Sequence, residues 1–409
     1  MQNKNVKKSK TLGGIKVIEY CQMVSGPFCG KQLADMGATV IKIEPPDLGD
    51  AARKIGPFPE DIPNAEKSGL FIYLNSNKFG ITLDLCKPEG VKIFKKLVME
   101  ADILIEDRSP GDMEKKGIDY KELKTINPRL IHASITNFGN SGHYKDYKAY
   151  QLNIAHVSGQ GYLLPMPSPH LDRPPVKPGG NISDYDSGLV GFLAVLAALY
   201  RMRISGKGQF IDLSRQEALM SMQRVESVTY ANDNFIVSRK GRIRPMPGGI
   251  MQCKDGHVVS IAPQEHQWEA LMKLMGNPEW SKKDWCRDLQ TRAENAQELT
   301  KLISAWMKNH TKEEIFRKGQ ALSCPISPLQ TTEDVMNSRQ LNETGFFVET
   351  DHPKAGKLKM PFVPYRFSKT PCKLERSAPL LGEHNKKVFC DDLGYNGKEL
   401  VKLRQSGII

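Results

Sequence analysis

Lys16-Val17-Ile18-Glu19-Tyr20 and Thr39-Val40-Ile41-Lys42-Ile43 are two runs rich in β-branched residues. Runs of this composition favour extended strands. Between them, Gly26-Pro27 opens a segment predicted to be helical as far as Met36, because proline is tolerated in the first turn of a helix. A strand, a helix and a second strand in this order form a βαβ unit, in which the two strands lie parallel.

The same alternation continues along the chain. It predicts strands at Gly80–Asp84, Ile103–Glu106 and Leu130–Ser134, and helices at Pro88–Ala101 and Tyr120–Ile126. Strands and helices that alternate in this way indicate an α/β fold with a mainly parallel sheet covered by helices.

The sequence changes character near residue 230. Asp255-Gly256 between two alternating runs predicts a β-hairpin, and helices are predicted at Glu265–Met275, Ala293–Lys308 and Thr311–Gln320. From Pro361 to Phe367 the pattern resembles that of the first part again. We therefore predict a large domain that begins with residues 1–224, a smaller α+β domain at 225–330, and a return segment at 331–409 that completes the large domain.

Length and composition indicate a water-soluble enzyme with a large core. The chain has 409 residues, of which 39% are apolar and 25% charged, and no apolar run approaches bilayer-spanning length. The basic N-terminal segment leads into a strand pattern and not into an apolar signal core, so it is predicted to be a frayed tail. Eight cysteines without a Cys-x-x-Cys pair argue against zinc and favour reduced thiols in the cytoplasm. We expect no metal and no membrane association.

The formal charge of +12 is the one global value with functional content. Excess lysine and arginine can attract nucleic acid, anionic lipid or a phosphorylated small molecule. The densest basic segment, Arg239–Pro245, is a short loop bounded by proline and glycine, without the interleaved aromatic residues of a nucleic-acid surface. We therefore expect no nucleic-acid partner.

Ser183-Asp184-Tyr185-Asp186-Ser187-Gly188 precedes an apolar run from Leu189 to Tyr200. Asp184 and Asp186 fit two roles from their spacing alone. They can cap the helix predicted at Gly188–Met202, or one of them can serve as a nucleophile, since a carboxylate at the mouth of a buried helix is poorly hydrated. That helix is apolar on almost every face and is predicted to be buried.

Other nucleophilic arrangements find little support in the sequence. His156 could act as a general base, but a lone histidine in a semi-apolar segment is more often a packing residue. The Gly-x-Ser-x-Gly motif of serine hydrolases is absent, as is the Gly-x-Gly-x-x-Gly spacing of a dinucleotide loop after the first strand.

Several segments, taken in order, resemble the class III CoA-transferases, which include the formyl-CoA and carnitine CoA-transferases. The resemblance covers nearly the whole chain and is carried by Leu12–Glu19, Gly26–Phe28, Leu33–Pro46, Asn77-Lys78, Ile81–Asp84, Ser109–Gly111, Ser183-Asp184, Ser205–Gln209 and Ala378–His384. It implies a Rossmann-like large domain built from both ends of the chain, a small domain between, and two subunits threaded through each other as interlocked rings.

The resemblance also implies a chemistry. In this family the catalytic residue is the aspartate of a Gly/Ser-Asp-x-x-x-Gly element, which selects Asp184 over Asp186. The implied reaction moves CoA from an acyl-CoA thioester to a free carboxylic acid through aspartyl anhydride and aspartyl thioester intermediates. Coenzyme A or acyl-CoA enters as a substrate, and no permanently bound cofactor is expected. A closed, water-poor pocket and oxyanion-stabilising N–H groups are required.

The same resemblance assigns five residues to CoA binding. Lys115 and Lys148 are expected to bind the CoA phosphates, with Leu83 and Asp107 near the adenosine. Val24 stands where formyl-CoA transferase has an assisting glutamine, and Pro45 stands where an arginine is frequent. With the four-glycine loop of that enzyme also missing, formate and oxalate are not the expected substrate pair.

Two alternative functions stay open. The fold of this family also hosts α-methylacyl-CoA racemases, which use a histidine; here that position is held by Tyr150, and a phenol is a poor base at neutral pH. The other alternative, favoured only by the positive charge, is a CoA-binding or nucleic-acid-binding protein without chemistry.

Overall fold

The computed structural model describes residues 10–166, 168, 170–240 and 245–409, without the side chains of 224 and 225. Residues 1–9 of the predicted N-terminal tail and residues 241–244 of the basic loop lie outside the described residues. The chain divides into two compact units. The first holds the described residues up to Leu164 together with Pro174–Ile236 and Gly345–Ile409; the second holds the described residues of Pro165–Arg173 and Val237–Thr344. The domain limits at residues 224 and 330 stay a prediction.

A six-stranded sheet forms the centre of the first unit. Its strands are β1 (Lys16–Tyr20), β2 (Thr39–Glu44), β3 (Phe79–Thr82), β4 (Ile103–Glu106), β5 (Ile131–Thr136) and β6 (Phe210–Ser214). All neighbours pair in parallel in the order β3-β2-β1-β4-β5-β6. This is the strand order of a doubly wound Rossmann-type sheet, whose switch point lies between β1 and β4. The predicted parallel α/β fold is confirmed, although β6 was not predicted.

Helices cover the sheet in this unit. They are α1 (Ser25–Asp35), α2 (Gly69–Asn75), α3 (Pro88–Met99), α4 (Asp112–Lys115), α5 (Tyr120–Ile126), α6 (Gln151–Val157), α7 (Ile182–Ser205), α8 (Arg215–Met220), α9 (Arg224–Asp233) and α16 (Gly397–Gln405), with short 3-10 turns at Ala51–Lys54, Pro59–Asp61 and Gln160–Leu163 and a π-helical turn at Lys386–Asp392.

The central strands are buried on both faces. Val17 and Ile105 pack on the side of α1 and α7, whereas Ile18 and Leu104 pack on the side of α3 and the C-terminal segment. Because successive side chains point to opposite faces, apolar residues follow one another directly in the central strands, as in Val17-Ile18 and Ile103-Leu104-Ile105. This explains why the strands were visible in the sequence.

Helix α7 differs from its prediction in two ways. It begins at Ile182 and not at Gly188, so Asp184 lies inside its first turn, and it ends before Gly206, whose left-handed φ of 72° suits glycine. One face packs against α1 and β5, but Leu193 is 67% and Tyr200 71% exposed. The expectation of a fully buried helix is therefore wrong for the single chain.

By length and composition, α7 would also be able to span a membrane, contrary to the expectation that no apolar run approached that length. Core helices of soluble proteins pass the same test. One face of α7 packs against α1 and β5 in the core of the first unit.

The second unit is an α+β structure around its own core. A three-stranded antiparallel sheet is formed by β7 (Gly248–Cys253), β8 (Gly256–Ile261) and β9 (Ile326–Pro328). Its helices are α10 (Glu265–Leu274), α11 (Leu289–Glu294), α12 (Ala296–Met307), α13 (Lys312–Ala321), α14 (Thr332–Met336) and α15 (Arg339–Glu343), with 3-10 turns at Glu279–Lys282 and Asp284–Cys286. The hairpin predicted at Asp255-Gly256 is confirmed, and the helix predicted at 293–308 is observed as α12, which begins three residues later, at Ala296.

The last segment of the chain completes the first unit. It forms an antiparallel hairpin of β10 (Phe347–His352) and β11 (Gly356–Pro361), and then runs along the edge strand β3. The amide of Thr82 donates to Asn385 Oδ1 at 2.9 Å, and the amide of Asp84 donates to the carbonyl of Ile408 at 2.8 Å. Residues distant in sequence therefore close one edge of the sheet.

Candidate active site

The residues singled out in the sequence lie on connections that leave the carboxyl ends of the parallel strands. Val24 follows β1, Leu83 follows β3, Asp107 and Lys115 follow β4, and Lys148 follows β5. In open α/β sheets this edge is where ligands bind, above all at the switch point. The topology therefore places these five residues at one edge of the sheet.

Asp184 is 8% exposed, in the first turn of α7. Its Oδ1 forms an ion pair with Nη2 of Arg215, the first residue after β6. The N-terminus of a helix carries partial positive charge, so this carboxylate lies beside two positive groups, the start of α7 and the guanidinium. A buried carboxylate at this edge has the chemistry of a nucleophile.

Arg215 is itself anchored. Its Nη1 donates to Asn137 Oδ1 at 2.8 Å, and Asn137 Nδ2 donates to the carbonyl of Ala149 at 2.9 Å. Burial lowers the pKa of Arg215 to about 10, against the opposing effect of the negative charge of Asp107. The guanidinium still carries its charge at neutral pH, so Arg215 is a fixed cation beside Asp184.

Asp107 lies at the switch point, directly after β4. Its Oδ2 accepts the N–H of Gln22 at 2.8 Å, and its Oδ1 pairs with Arg108. Burial raises the pKa of Asp107, while the charge of Arg108 opposes that rise. A Cβ at Gly26 would lie 3.5 Å from Asp107 Oδ2, so the start of α1 approaches this carboxylate closely. The contacts thus join Asp107 to the loop between β1 and α1.

Val24 and Leu83 have apolar surroundings. Val24 is 1% exposed in a cluster with Phe71 and Leu74, and Leu83 is 1% exposed in a cluster with Ile81 and Phe94. The side chain of Val24 is therefore committed to the core. Part of their backbone is engaged as well, since the carbonyl of Val24 accepts the N–H of Phe28 and the N–H of Leu83 donates to the carbonyl of Glu44.

Lys115 and Lys148 are exposed, one at the end of the short helix α4 and the other after the turn at Tyr144–Tyr147. The described contacts join neither lysine to Asp184. Asn137 does connect the Lys148 segment to Arg215, through its bond to Ala149. Exposed ammonium groups at this edge are suited to phosphate binding.

Aromatic side chains surround the first turn of α7. Tyr185 makes edge contacts with Phe28 and Tyr73, at centroid distances of 4.8 Å and 6.4 Å. A Cβ at Gly188 would lie 2.5 Å from the carbonyl oxygen of Ser25, so this glycine lets α7 approach α1. This packing fixes the first turn of α7, which carries Asp184, against α1.

The other candidates lie apart from this centre. Asp186 is half-buried and has no described ion pair, and burial raises its pKa. His156 packs its ring against Gly161 and has no described contact with Asp184. Tyr150 is 83% exposed. Within the described part of the chain, no cluster of histidine, cysteine, aspartate or glutamate could hold a metal ion.

Sequence reasoning missed Arg215. The sequence does contain an indication of its position. Residues Phe210–Ser214 alternate in polarity as a strand does, and this strand was not predicted. Had that strand been assigned, the next residue would have been placed at the ligand-binding edge.

The fold and the site define a class of protein: a doubly wound α/β protein with a buried carboxylate–arginine pair at the carboxyl edge of its sheet. The chain belongs to CoA-transferase family III, whose sequence pattern matches residues 12–385. It is accordingly a CoA-transferase, an enzyme that moves CoA between acyl-CoA and carboxylic acids. This confirms the family expected from the sequence.

Similar proteins of known activity match over nearly their whole length. The chain is 32% identical to the succinyl-CoA–L-malate CoA-transferase beta subunit of Chloroflexus aurantiacus, covering 97% of this chain and 98% of that one. It is 30% identical to mouse succinyl-CoA:glutarate CoA-transferase (98% and 90% covered) and 31% identical to formyl-CoA:oxalate CoA-transferase of Streptomyces avermitilis (98% and 100%).

Solved structures of similar proteins have the same fold over more than nine-tenths of this chain. A CAIB/BAIF family protein from Brucella suis superposes with a TM-score of 0.83 at 30% identity, covering 93% of this chain and 99% of that one. Rv3272 from Mycobacterium tuberculosis superposes with a TM-score of 0.79 at 27% identity, covering 92% and 98%.

Proposed function

We propose that Asp184 is the covalent carrier in this CoA-transferase. The observation that carries the proposal is the buried carboxylate in the first turn of α7, ion-paired to Arg215 at the ligand-binding edge of the sheet. The proposed role of Asp186, half-buried and without a described ion pair, is structural.

The reaction proceeds by exchange at one carboxylate. Asp184 attacks the thioester carbonyl, the C–S bond breaks, and a mixed anhydride and CoA thiolate form. The thiolate then attacks the aspartyl carbonyl of the anhydride, which releases the first acid as its carboxylate and leaves an aspartyl–CoA thioester. The acceptor carboxylate repeats these two steps in reverse, and Asp184 is regenerated. An anhydride of this kind hydrolyses in water, and the low exposure of Asp184, 8%, supports the proposal.

CoA binds along the same edge in this proposal. Lys115 and Lys148 are exposed cations suited to its phosphates. The backbone after β3, at Leu83, and the carboxylate of Asp107 lie where the adenosine is expected. Val24, whose side chain is buried, contributes through its backbone.

The acceptor is proposed to be a small dicarboxylic acid. The relatives named above act on malate, glutarate and oxalate. With Val24 and Pro45 in place of the glutamine and arginine, and no four-glycine loop, formate and oxalate are disfavoured. A panel of succinyl-CoA with malate, glutarate, citramalate, oxalate and the monocarboxylates acetate and formate tests this choice, and preferred use of oxalate or of a monocarboxylate would contradict it.

A homodimer, with the two chains interlocked, completes the proposal. Leu189, Leu193, Tyr200 and Ile204 form an apolar stripe on α7, with exposures of 47%, 67%, 71% and 72%. A continuous apolar face of this kind supports association with a second protein surface. The eight cysteines are free thiols, which supports a reducing, cytoplasmic location.

Racemisation of acyl-CoA is the second activity that this fold could host. It would need a base at position 150, where Tyr150 is 83% exposed and contacts neither Asp184 nor Arg215 among the described residues. No observation favours this activity.

The proposed carrier is tested by trapping. Purified enzyme is incubated with succinyl-CoA, quenched with hydroxylamine, and digested for mass spectrometry. We expect a hydroxamate on Asp184, and we expect Asp184→Ala to lose ~10³-fold or more in kcat, as removal of a nucleophile does.

Asp186→Ala is the matched control, since it removes the neighbouring half-buried carboxylate. It should retain labelling at Asp184 and most of the activity. An Asp184→Ala enzyme that keeps the full transferase rate would falsify the covalent mechanism.

A further inference from the structure

Arg215 is a buried cation whose described anionic partner is the reacting carboxylate. Its side chain is 14% exposed, Nη2 contacts Asp184, and Nη1 donates to the neutral amide oxygen of Asn137 at 2.8 Å. Nε is buried and has no hydrogen-bond partner among the described residues. Arg215 therefore has spare donor capacity at the reacting centre.

Nearby charges do not offer a permanent replacement for Asp184. Asp107 acts on Arg215 electrostatically, but its own oxygens already pair with Arg108 and accept the N–H of Gln22. Asn137 is uncharged. A buried cation left without a counter-ion is costly.

The proposed function removes that counter-ion in every cycle. When Asp184 attacks the thioester, its carboxylate becomes a neutral anhydride, and the negative charge passes to the departing thiolate. When the thiolate attacks in turn, the charge passes to the released carboxylate. At each of these steps the negative charge that Asp184 gives up is carried by substrate sulfur or oxygen.

We infer that Arg215 is a further catalytic residue, an exchangeable counter-ion that pairs with Asp184 in the resting enzyme and with the carboxylate of the acid substrate once Asp184 is acylated. The inference rests on the proposed function. It assigns to Arg215 the binding of the acid, whereas the binding of CoA belongs to residues along the other connections.

The test compares the effect of Arg215 substitutions on KM for the acceptor acid with their effect on KM for the acyl-CoA. In Arg215→Met, which keeps the length of the side chain and removes the charge, we expect KM for the acceptor acid to rise at least tenfold and kcat to fall. We expect KM for the acyl-CoA to change less than threefold. Arg215→Lys, which keeps the charge but not the forked geometry, should lie between Arg215→Met and the wild type.

Arg129→Met is the control, because Arg129 contacts Met202 near the opposite end of α7 and should leave both KM values unchanged. Thermal denaturation checks folding. If Arg215→Met does not fold, Arg215→Lys decides the matter, and an unchanged acid KM in that variant overturns the inference.

The hydroxylamine trap distinguishes the two levels of failure. Labelling at Asp184 in wild type and variants, with wild-type acid KM in the Arg215 variants, overturns the role of Arg215 alone. Absence of labelling at Asp184 in the wild type overturns the proposed function itself.

Discussion

Two successive N–H groups of the loop after β1 are held by carboxylates from two different connections. Asp107 accepts the N–H of Gln22, and Asp50 Oδ1 accepts the N–H of Met23 at 2.9 Å. Met23 has a left-handed φ of 62°, which costs a non-glycine residue about 1 to 2 kcal/mol. Asp50 is fully buried and pairs with Lys42 at 2.7 Å. Burial opposes its ionisation, but Lys42 and the N–H donors prevail and lower the pKa of Asp50.

We predict that Asp50→Asn loses about 3 kcal/mol of unfolding free energy, because Glu19 is then the one ion-pair partner left to Lys42 among the described residues. The transferase rate should fall with it, since the loop at the switch point is then held less firmly. Adding Met23→Gly should recover part of both losses, because glycine adopts a positive φ without steric cost. Urea unfolding and turnover measure the effects.

The control for this prediction is Glu66→Gln. Glu66 is the outer, 26% exposed partner of Arg53 in the neighbouring ion-pair network, so the change should cost less than about 1 kcal/mol. If Met23→Gly destabilised the Asp50→Asn protein further, the loop would not be strained in the way described.

Individual site residues could be identified from the sequence only where they belong to a motif. Asp184 and Asp186 were indistinguishable by spacing, and the family resemblance selected Asp184. The structure shows that Asp184 faces Arg215, a partner 31 positions further along the chain, which no local pattern could reveal. Likewise, Lys42 and Asp50 meet because the chain turns back after β2, at Pro45–Gly49.

The elements themselves were largely predictable. β1, β4 and α5 have the predicted limits, because apolar runs buried on both faces and amphipathic helices leave strong periodic signals. The antiparallel hairpin at 347–361 was not predicted. Its strands carry charged residues such as Glu349 and Lys359 at half-exposed or exposed positions, so the alternation is weak.

The edge strand β3 depends on one histidine from the end of the chain. The N–H of Gly80 donates to His384 Nδ1 at 3.2 Å, and the N–H of His384 donates to the carbonyl of Gly80 at 2.9 Å. Burial lowers the pKa of His384 below its ordinary value of 6.5, against the opposing charge of Glu383. The folded protein therefore keeps this imidazole neutral, as an acceptor.

We predict that stability falls as the pH drops from 7 to 5, in part through His384. Below pH 6.5 the unfolded chain takes up a proton at this residue that the folded chain resists, which favours unfolding. His384→Asn retains an acceptor for Gly80 and should lose less stability than the wild type over this range. Urea unfolding at pH 5, 6, 7 and 8 measures the difference. An identical pH dependence in both proteins would contradict the role of His384.

At the scale of the whole molecule, the apolar stripe on α7 is the feature that the single chain leaves unexplained. Sequence analysis expected α7 to be buried because it is apolar almost all round, and the fold of one chain buries only part of its surface. The remaining apolar surface agrees with the proposed homodimer. Burial between chains cannot be told from burial within a chain by sequence periodicity.

We predict that the purified protein is a dimer and that Leu193→Glu weakens it at least ~100-fold, because a carboxylate would be buried without a partner. Light scattering after size-exclusion chromatography measures the mass over a dilution series. Met99→Glu is the control, since Met99 is an apolar residue of similar exposure, 60%, on α3. A wild-type mass that corresponds to one chain at every concentration would reject the proposal.

The closure of β3 by residues about three hundred positions later has a consequence for synthesis in the cell. Gly80 and Thr82 leave the ribosome long before His384 and Asn385, their partners at separations of 304 and 303 residues. At 5 to 20 residues per second, this interval lasts about 15 to 60 s. During that time the nascent sheet has an open edge able to pair with other chains. Chaperone protection of the nascent chain should therefore determine the yield of active enzyme more than the stability of the finished fold.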